Sequence, residues 1–351
     1  ERANWCADTG EEPRDIYTFG LPNWHSAVAR EHKAAREAAV LFDQTSFAKY
    51  ILTGPDAEQA LQWIASNRVD KPVGSIIYTQ MLNDNGGIEC DLTCVRTKFN
   101  EYYITTGTGY ATHDFNWISR NIPSELNAQL IDVTSSNAVL SLFGPNARDI
   151  LQLVTVNDVS DNGHPFGSAR QISIAGCLVL AMRITYVGEL GWELHLPVEY
   201  AQTVYNKLIE AGSPLGLRNA GYRAIETLRL EKGYRAWSSD IGPDHTPDEA
   251  GLGWAVKMKS NISINTDDHF PYLGNGIQFN EHLFGLDFDA NLIQQTSELI
   301  WQPNSTLPFS TLKTLPAPYN ILSDIALEMT CLLYTSDAAD EGLGVDLGGR
   351  R

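Results

Sequence analysis

Apolar and polar residues alternate on both sides of a turn between residues 78 and 93. Residues 83–87 carry the Asn, Asp and Gly side chains typical of hairpin turns, and strand-like residues flank them. Because successive side chains of a strand point to opposite faces, Glu89, Asp91 and Thr93 are predicted to share one face. That polar face looks either toward water or toward a ligand, and the spacing alone favours a solvent-exposed hairpin.

The pattern up to residue 260 predicts further short elements in no regular order. The predicted helices cover residues 23–40, 56–66, 110–120, 144–153, 198–211 and 219–232. Further predicted strands cover residues 47–52, 102–106, 130–133, 138–143, 178–186 and 192–196. Asn23 is predicted to cap the first helix, which residues 41–43 close. Because strands and helices mix without regular βαβ alternation, the predicted fold class is α+β.

Two features of this pattern bear on organisation and chemistry. A strand, a Gly-Pro pair and a helix occur at residues 52–66 and again from residue 142 to residue 153, which indicates an internal duplication. Two strands each carry a carboxylate with a tyrosine nearby, Asp91 with Tyr78 and Glu193 with Tyr186. A carboxylate can accept two hydrogen bonds from an amino-pyrimidine edge, and a tyrosine can pack on its ring. A strand with one carboxylate is nevertheless commoner than a ligand site, so both interpretations stay open.

Composition and charge exclude several classes of function. The formal net charge of -18 argues against a nucleic-acid partner, and no apolar run is long enough to span a membrane. The five cysteines form no CxxC pair, which predicts reduced thiols and no metal site. Nucleotide-binding loops and the HExxH and GxSxG signatures are absent from the sequence.

Long runs between residues 14 and 260 resemble the folate-binding, aminomethyltransferase-like region of sarcosine and dimethylglycine dehydrogenases. The matching runs cover residues 41–49, 78–93, 186–194, 219–226, 230–237 and 246–252. The resemblance implies the α+β fold of the glycine-cleavage T-protein. It is strongest to sarcosine dehydrogenase over residues 219–259.

The resemblance also implies a reaction. The domain is expected to bind tetrahydrofolate in a central cavity and to pass it the C1 unit of an oxidised N-methyl group, giving 5,10-methylenetetrahydrofolate. FAD is expected in a domain upstream of this chain, where sarcosine is oxidised to an imine or its formaldehyde equivalent. Electron-transfer flavoprotein is the implied partner of the intact enzyme. The implied compartment is the mitochondrial matrix in a eukaryote and the cytoplasm otherwise.

Individual residues acquire expected roles from the same resemblance. Asp91 matches the acidic residue that accepts a proton as the folate nitrogen attacks, which is work for a fixed carboxylate within hydrogen-bond reach. Glu193 matches the residue that holds the pterin edge. The expected folate-binding positions are Tyr78, Thr93, Tyr186, Glu193, Arg229 and Trp237. For Arg229 a structural ion pair is the first expectation and binding of the folate tail the second.

One departure separates branches of the family. Ile225 stands where the glycine-cleavage aminomethyltransferases carry an arginine, which favours the dehydrogenase branch. Two alternatives stay open. The chain is a dimethylglycine dehydrogenase fragment, or it is a non-catalytic regulatory subunit of the pyruvate dehydrogenase phosphatase type on the same fold.

The resemblance divides the chain into four parts. Residues 1–20 are predicted to be a connector from a flavin domain, and residues 21–260 the folate-binding domain. Residues 261–330 lose the resemblance and contain one basic residue, Lys313, so we interpret them as derived from an intron or a frameshift. Residues 331–351 resemble a translated sequencing adapter. The small C-terminal barrel of the family is accordingly predicted to be missing.

Overall fold

A computed structural model describes residues 3–257 of the 351-residue chain. The helices are α1 (His25–Glu37), α2 (Ala57–Ile64), α3 (Ala111–Asn121), α4 (Ala147–Val154), α5 (Ala201–Gly212) and α6 (Tyr222–Glu231). The strands are β1 (Ala39–Asp43), β2 (Ala48–Thr53), β3 (Ile76–Leu82), β4 (Ile88–Lys98), β5 (Glu101–Thr106), β6 (Gln129–Asp132), β7 (Asn137–Phe143), β8 (Ala169–Ile174), β9 (Cys177–Met182), β10 (Gly191–Pro197) and β11 (Leu217–Ala220). The predictions for residues 261–330, for residues 331–351 and for a missing barrel lie outside the described residues.

The strands form two sheets, which confirms the α+β class. The first sheet has the order β11-β1-β7-β10-β9-β8, and the second has the order β3-β4-β5-β2-β6. The strand pairs are antiparallel except for β1 with β11. Antiparallel sheets need no helical crossovers, so the helices do not alternate with strands.

The two sheets lie face to face between layers of helix. Buried apolar side chains of α4 and α5 pack on the outer face of the first sheet, and those of α2 and α3 pack on the outer face of the second. The inner faces meet where Val95 and Tyr103 of the second sheet contact Ala169 and Met182 of the first. The space between the sheets is therefore lined from both sides.

A repeated unit supports the predicted duplication. β2 and β7 each end at a glycine with positive φ, Gly54 (137°) and Gly144 (130°), before a helix begins. A Cβ atom on either glycine would lie 2.3–2.5 Å from a backbone oxygen, that of Asn127 or of Ala38. Both units thus place a glycine directly after the strand, where another chain segment passes too close for a residue with a Cβ.

The first predicted helix is too long. Asn23 does not cap it, because its Oδ1 accepts the Ile16 N–H at 2.9 Å. Helix α1 ends at Glu37, and the following residues form β1, which pairs with β7 and β11. These apolar residues bury more surface in the centre of a sheet than a longer surface helix would allow them to bury.

Two other boundaries also differ from prediction. Asn219 belongs to β11 and not to a helix, since residues 217–220 pair with β1. β9 ends at Met182, so Tyr186 lies in a loop. That loop is held by Thr185, whose Oγ1 accepts the backbone N–H groups of Val187 and Gly188.

Two segments without long elements pack on this framework. In residues 3–20, Trp5 is buried, and the carbonyls of Ala3 and Asn4 accept the first backbone N–H groups of α6. Residues 234–257, which we call the C-terminal clamp, lie against the β3–β4 hairpin. Gly87 of that hairpin has no room for a Cβ, which would lie 1.7 Å from the Pro243 oxygen.

Candidate functional site

The β3–β4 hairpin forms because of its turn sequence. The side-chain oxygen of Asn83 accepts the N–H groups of Asn85 and Gly87, and the Asn83 N–H donates to the Gly87 oxygen at 2.9 Å. Gly86 supplies a positive φ of 79°. This turn sets a register in which Gln80 lies opposite Asp91.

The polar face of β4 looks toward the first sheet. Cys90, Leu92 and Cys94 are buried in the core beneath α2 and α3, as the alternation predicts. Asp91 lies on the other face with Val95, and Val95 contacts Met182 of the first sheet. The interpretation that spacing alone favours, a hairpin with its polar face in water, is therefore wrong.

Asp91 is held by neutral hydrogen-bond donors. Gln80 Nε2 donates to its Oδ1 at 3.0 Å, and the Tyr78 hydroxyl also donates to the carboxylate. Burial raises the pKa of Asp91 to about 6, although both hydrogen bonds act in the opposite direction. A carboxylate with such a pKa can accept a proton near neutral pH and release it again.

Aromatic side chains lie on the Asp91 side of the hairpin, and one of them, Tyr78, contacts the carboxylate. The Tyr78 ring stacks on Trp254, with 5.6 Å between centroids. Tyr186 donates its hydroxyl to the Arg235 oxygen at 2.8 Å, and its ring lies 5.9 Å from that of Tyr234. Burial raises the pKa of Tyr78 and of Tyr186, and the charge of Asp91 contributes to both shifts. The three predicted residues from two separate hairpins therefore lie close together.

Glu193 lies on the opposing sheet. It projects from β10, where it pairs with Met182 and so shares the inner face. Its side chain is 14% exposed, and its Oε2 lies 3.5 Å from Nε2 of the buried His195. The other ring nitrogen of His195 bonds the Tyr103 hydroxyl of the second sheet at 3.1 Å. One carboxylate from each sheet thus faces the inter-sheet space.

Comparison with known proteins now assigns the family. The GCVT N-terminal domain family matches residues 2–260. The chain belongs to this family. The first sheet, the second sheet and the clamp all fall within the matched residues.

Proteins similar to this chain include both an enzyme and a regulatory subunit. Human mitochondrial sarcosine dehydrogenase is 40% identical over 274 residues, which cover 74% of this chain and 29% of that protein. The mitochondrial regulatory subunit of mouse pyruvate dehydrogenase phosphatase is 35% identical over 252 residues, which cover 70% and 28%. The chain therefore spans less than a third of the length of these relatives.

A solved structure supports the fold. The glycine cleavage system aminomethyltransferase T of Bartonella henselae superposes with a TM-score of 0.60 and 26% identity, covering 73% of this chain and 66% of that one. The predicted aminomethyltransferase fold is thereby confirmed. Within residues 3–257, no helix is both long and apolar enough to cross a membrane.

Two predicted site residues of this GCVT domain, Arg229 and Trp237, have structural partners, and a third, Thr93, is partly exposed. Arg229 is buried and forms ion pairs with Glu226 and Asp240, and it donates to the Tyr234 oxygen at 2.9 Å. These contacts favour the first expectation for Arg229, a structural ion pair. Trp237 donates its Nε1–H to the Ile88 oxygen at 2.8 Å and so ties the clamp to the hairpin. Thr93 is partly exposed on the face of Asp91, opposite Tyr78.

A cavity of about 340 Å³ lies next to this site and not in it. The residues that line it are Arg229, Leu230, Gly233, Tyr234, Arg235, Asp240, Ile241, His245, Glu249 and Ala250. Tyr186 contacts two of these lining residues, Arg235 and Tyr234, and Asp91 is not among the residues that line the cavity. The candidate chemistry remains with Asp91, whose pKa is raised by burial, whereas hydrogen bonds from Thr246 lower the pKa of Glu249 in the cavity.

Cys90, His113 and Asp114 also come together behind β4, with ligand-type atoms within 4.8 Å of one another. Asp114 accepts hydrogen bonds from Thr106 at 2.5 Å, from His113 at 2.9 Å and from the Cys90 thiol. Burial raises the pKa of that thiol. The three groups satisfy one another, which gives this cluster a structural explanation.

Sequence reasoning missed four residues of the site: Gln80, Tyr103, His195 and Trp254. Gln80 could have been predicted from the sequence, because the register set by residues 83–87 places it opposite Asp91. Tyr103 and His195 are 92 positions apart and meet only through packing of the two sheets. Trp254 lies in the clamp, where no strand or helix pattern signals its stacking on Tyr78.

Proposed function

We propose that this GCVT domain binds reduced folate between its two sheets and that Asp91 accepts the proton released during transfer of a C1 unit. The observation that carries the proposal is the desolvated Asp91 carboxylate on the inner face of the hairpin, with its pKa raised to about 6. Among the described residues no cation pairs with this half-buried carboxylate, so its raised pKa lowers stability at neutral pH, and proton transfer would give it a role.

The chemistry follows from the proton balance. Bound folate would supply the amine nitrogen that forms a bond to the C1 carbon. Asp91 would take the proton that this nitrogen loses on attacking formaldehyde. The second folate nitrogen would then close the methylene bridge and lose its own proton, and the carbonyl oxygen would leave as water with the equivalent of these two protons. Tyr78 and Gln80 fix the carboxylate for this step. In the part of the chain that the structure describes, the buried Oε1 of Gln80 lacks a hydrogen-bond partner.

The opposing sheet would hold the other end of the ligand. The Glu193 carboxylate can accept two hydrogen bonds from the amino-pyrimidine edge of a pterin. The rings of Tyr78 and Tyr186 can pack on the pterin face. Exclusion of water by these rings strengthens each polar contact in the site.

We further propose that the C1 donor comes from FAD-dependent oxidation of an N-methyl amine such as sarcosine. This oxidation would take place in another part of a longer protein, as the length of human sarcosine dehydrogenase allows. Its electrons would pass to electron-transfer flavoprotein, and in a eukaryote the compartment would be the mitochondrial matrix. Dimethylglycine is the alternative amine.

A regulatory role is the second candidate function, and one observation favours it. A regulatory subunit of pyruvate dehydrogenase phosphatase is 35% identical to this chain. The fold therefore does not decide whether folate binds. Simultaneous presence of Asp91, Tyr78, Tyr186 and Glu193 supports the catalytic alternative.

Titration calorimetry of the full chain with tetrahydrofolate under anaerobic conditions tests the proposal. Binding is expected, and Glu193→Gln should weaken it about tenfold, because hydrogen bonds to a charged group contribute roughly 1.5–3 kcal/mol. Glu199→Gln, on an exposed turn after β10, is the matched control. Absence of binding, or equal weakening by both variants, would contradict the proposal.

A further inference from the structure

The His195 ring connects the two sheets at the candidate site. Its Nδ1 bonds the Tyr103 hydroxyl at 3.1 Å, and the two rings meet edge to face with 5.4 Å between centroids. His195 is 4% exposed and Tyr103 is 6% exposed. The bond therefore lies out of water, where the direction of each hydrogen bond has a large energetic effect.

The second nitrogen of this ring points to Glu193. Within residues 3–257, the buried His195 Nε2 has no hydrogen-bond partner, but it lies 3.5 Å from Oε2 of Glu193. A small rotation of the Glu193 side chain would close this distance to a hydrogen bond. An unpaired polar atom in a buried ring normally needs an explanation, and the nearby carboxylate offers one.

The chemistry of Tyr103, His195 and Glu193 defines which group donates each hydrogen bond. A carboxylate only accepts hydrogen bonds, so a ring that serves Glu193 carries a proton on Nε2, and its Nδ1 can accept from the Tyr103 hydroxyl. That N–H then faces Glu193 and can donate to Oε2. The remaining lone pairs of the Glu193 carboxylate stay free for a ligand.

We propose that Tyr103 and His195 are positioning residues that fix the Glu193 carboxylate toward the donor edge of bound folate. The inference rests on the proposed function, since it names the groups that orient the pterin-binding carboxylate. It assigns the pair no part in the transfer step itself.

Two consequences separate positioning from a purely structural role. Tyr103→Phe removes one hydroxyl and keeps the ring, and it should weaken tetrahydrofolate binding about threefold to tenfold. In the Glu193→Gln background the same change should alter binding less than about twofold, because the carboxylate to be oriented is gone. His195→Gln should weaken binding in the same background-dependent way.

Tyr102→Phe is the matched control. Tyr102 is the neighbouring residue of β5, and its buried hydroxyl donates to the Val69 oxygen at 3.0 Å on the opposite face of the sheet. It should lose a comparable amount of stability and leave folate affinity unchanged. Equal loss of affinity in Tyr102→Phe and Tyr103→Phe would overturn the inference.

A second measurement does not depend on folate. The ¹⁵N chemical shifts of His195, assigned from their disappearance in His195→Gln, should report the Nε2–H tautomer in the full chain. Tyr103→Phe should produce a mixture of tautomers. An Nδ1–H tautomer in the unmodified protein would overturn the inference, since a lone pair would then face Glu193.

The outcomes distinguish the two proposals. If the unmodified chain does not bind tetrahydrofolate, the proposed function fails. If it binds, and Glu193→Gln weakens binding while Tyr103→Phe does not, the positioning inference alone fails.

Discussion

Asp91 and Glu193 occupy similar positions and have different surroundings. Each is a carboxylate on the inner face of a sheet, next to a hairpin connection. Asp91 receives hydrogen bonds from a tyrosine and an amide, and burial raises its pKa to about 6. Glu193 instead faces the ring of His195.

The difference teaches how one site can use two carboxylates. A carboxylate held by neutral donors in a desolvated place accepts a proton readily, which suits proton transfer. A carboxylate beside an imidazole N–H is oriented and suits recognition of a donor edge. The following changes test whether this division of roles holds.

The largest effect is expected for Asp91→Asn. The rate of 5,10-methylenetetrahydrofolate formation from tetrahydrofolate and formaldehyde, above the uncatalysed rate, should fall by about 10²–10⁴-fold, as for loss of a general base. Tetrahydrofolate affinity should change less than about threefold. In the unmodified protein this rate should rise with pH and level off above about 6.

Glu89→Gln is the control for this experiment. Glu89 lies two residues from Asp91 on the same strand, and its Oε2 lies 3.4 Å from Nε2 of His113. It should leave the transfer rate within about twofold of the unmodified protein. A comparable loss in both variants would remove Asp91 from its proposed role.

An intermediate effect is expected on stability. Because the pKa of Asp91 is raised on folding from 3.8 to about 6, the folded state binds more protons between these values, and stability falls as pH rises through this window. Asp91→Asn should therefore increase the free energy of unfolding at pH 7.5 by about 1–3 kcal/mol. The gain should disappear as pH falls from 6 toward 4.

Urea unfolding at pH 7.5 and pH 4.5 measures this gain. Glu199→Gln removes one negative charge from an exposed turn and corrects for the change in net charge. An Asp91→Asn variant that is less stable than the unmodified protein at pH 7.5 would mean that the carboxylate is well solvated.

The smallest effect concerns how the Asp91 hairpin is held. Trp237→Phe removes the hydrogen bond from Nε1 to the Ile88 oxygen and should reduce the free energy of unfolding by about 1 kcal/mol. The loop before Glu193 is held differently, by Arg36, which donates to the Val187 oxygen at 2.6 Å and pairs with Glu189. Thermal unfolding should therefore show a separate loss for Arg36→Lys, additive with that of Trp237→Phe. Strongly non-additive losses would mean that the two hairpins are not held independently.

The sequence predicted best where local chemistry decides the structure. The turn at residues 83–87 and the alternation around Asp91 both follow from neighbouring residues, and both agree with the structure. The ion-pair expectation for Arg229 likewise used helical spacing, and Glu226 lies three residues before it.

The remaining features depend on contacts between distant residues. β11 is four residues long, and only its pairing with β1, far away in the chain, makes it a strand. The direction of the polar face of β4 depends on where the first sheet packs. The pairing of Tyr103 with His195 depends on the same packing, so no local pattern could reveal it.

The contact between Gly87 and Pro243 affects the order in which the protein can fold during synthesis. The Ile88 N–H donates to the His245 oxygen at 3.0 Å, and the Gly87 backbone leaves no gap beneath Pro243. During synthesis the ribosome makes the hairpin roughly 150 residues before it makes Pro243 and His245. The Ile88 N–H therefore lacks this acceptor until the clamp has been synthesised. The surroundings of Asp91 are completed only when the clamp has left the ribosome, although every residue of the hairpin was made long before.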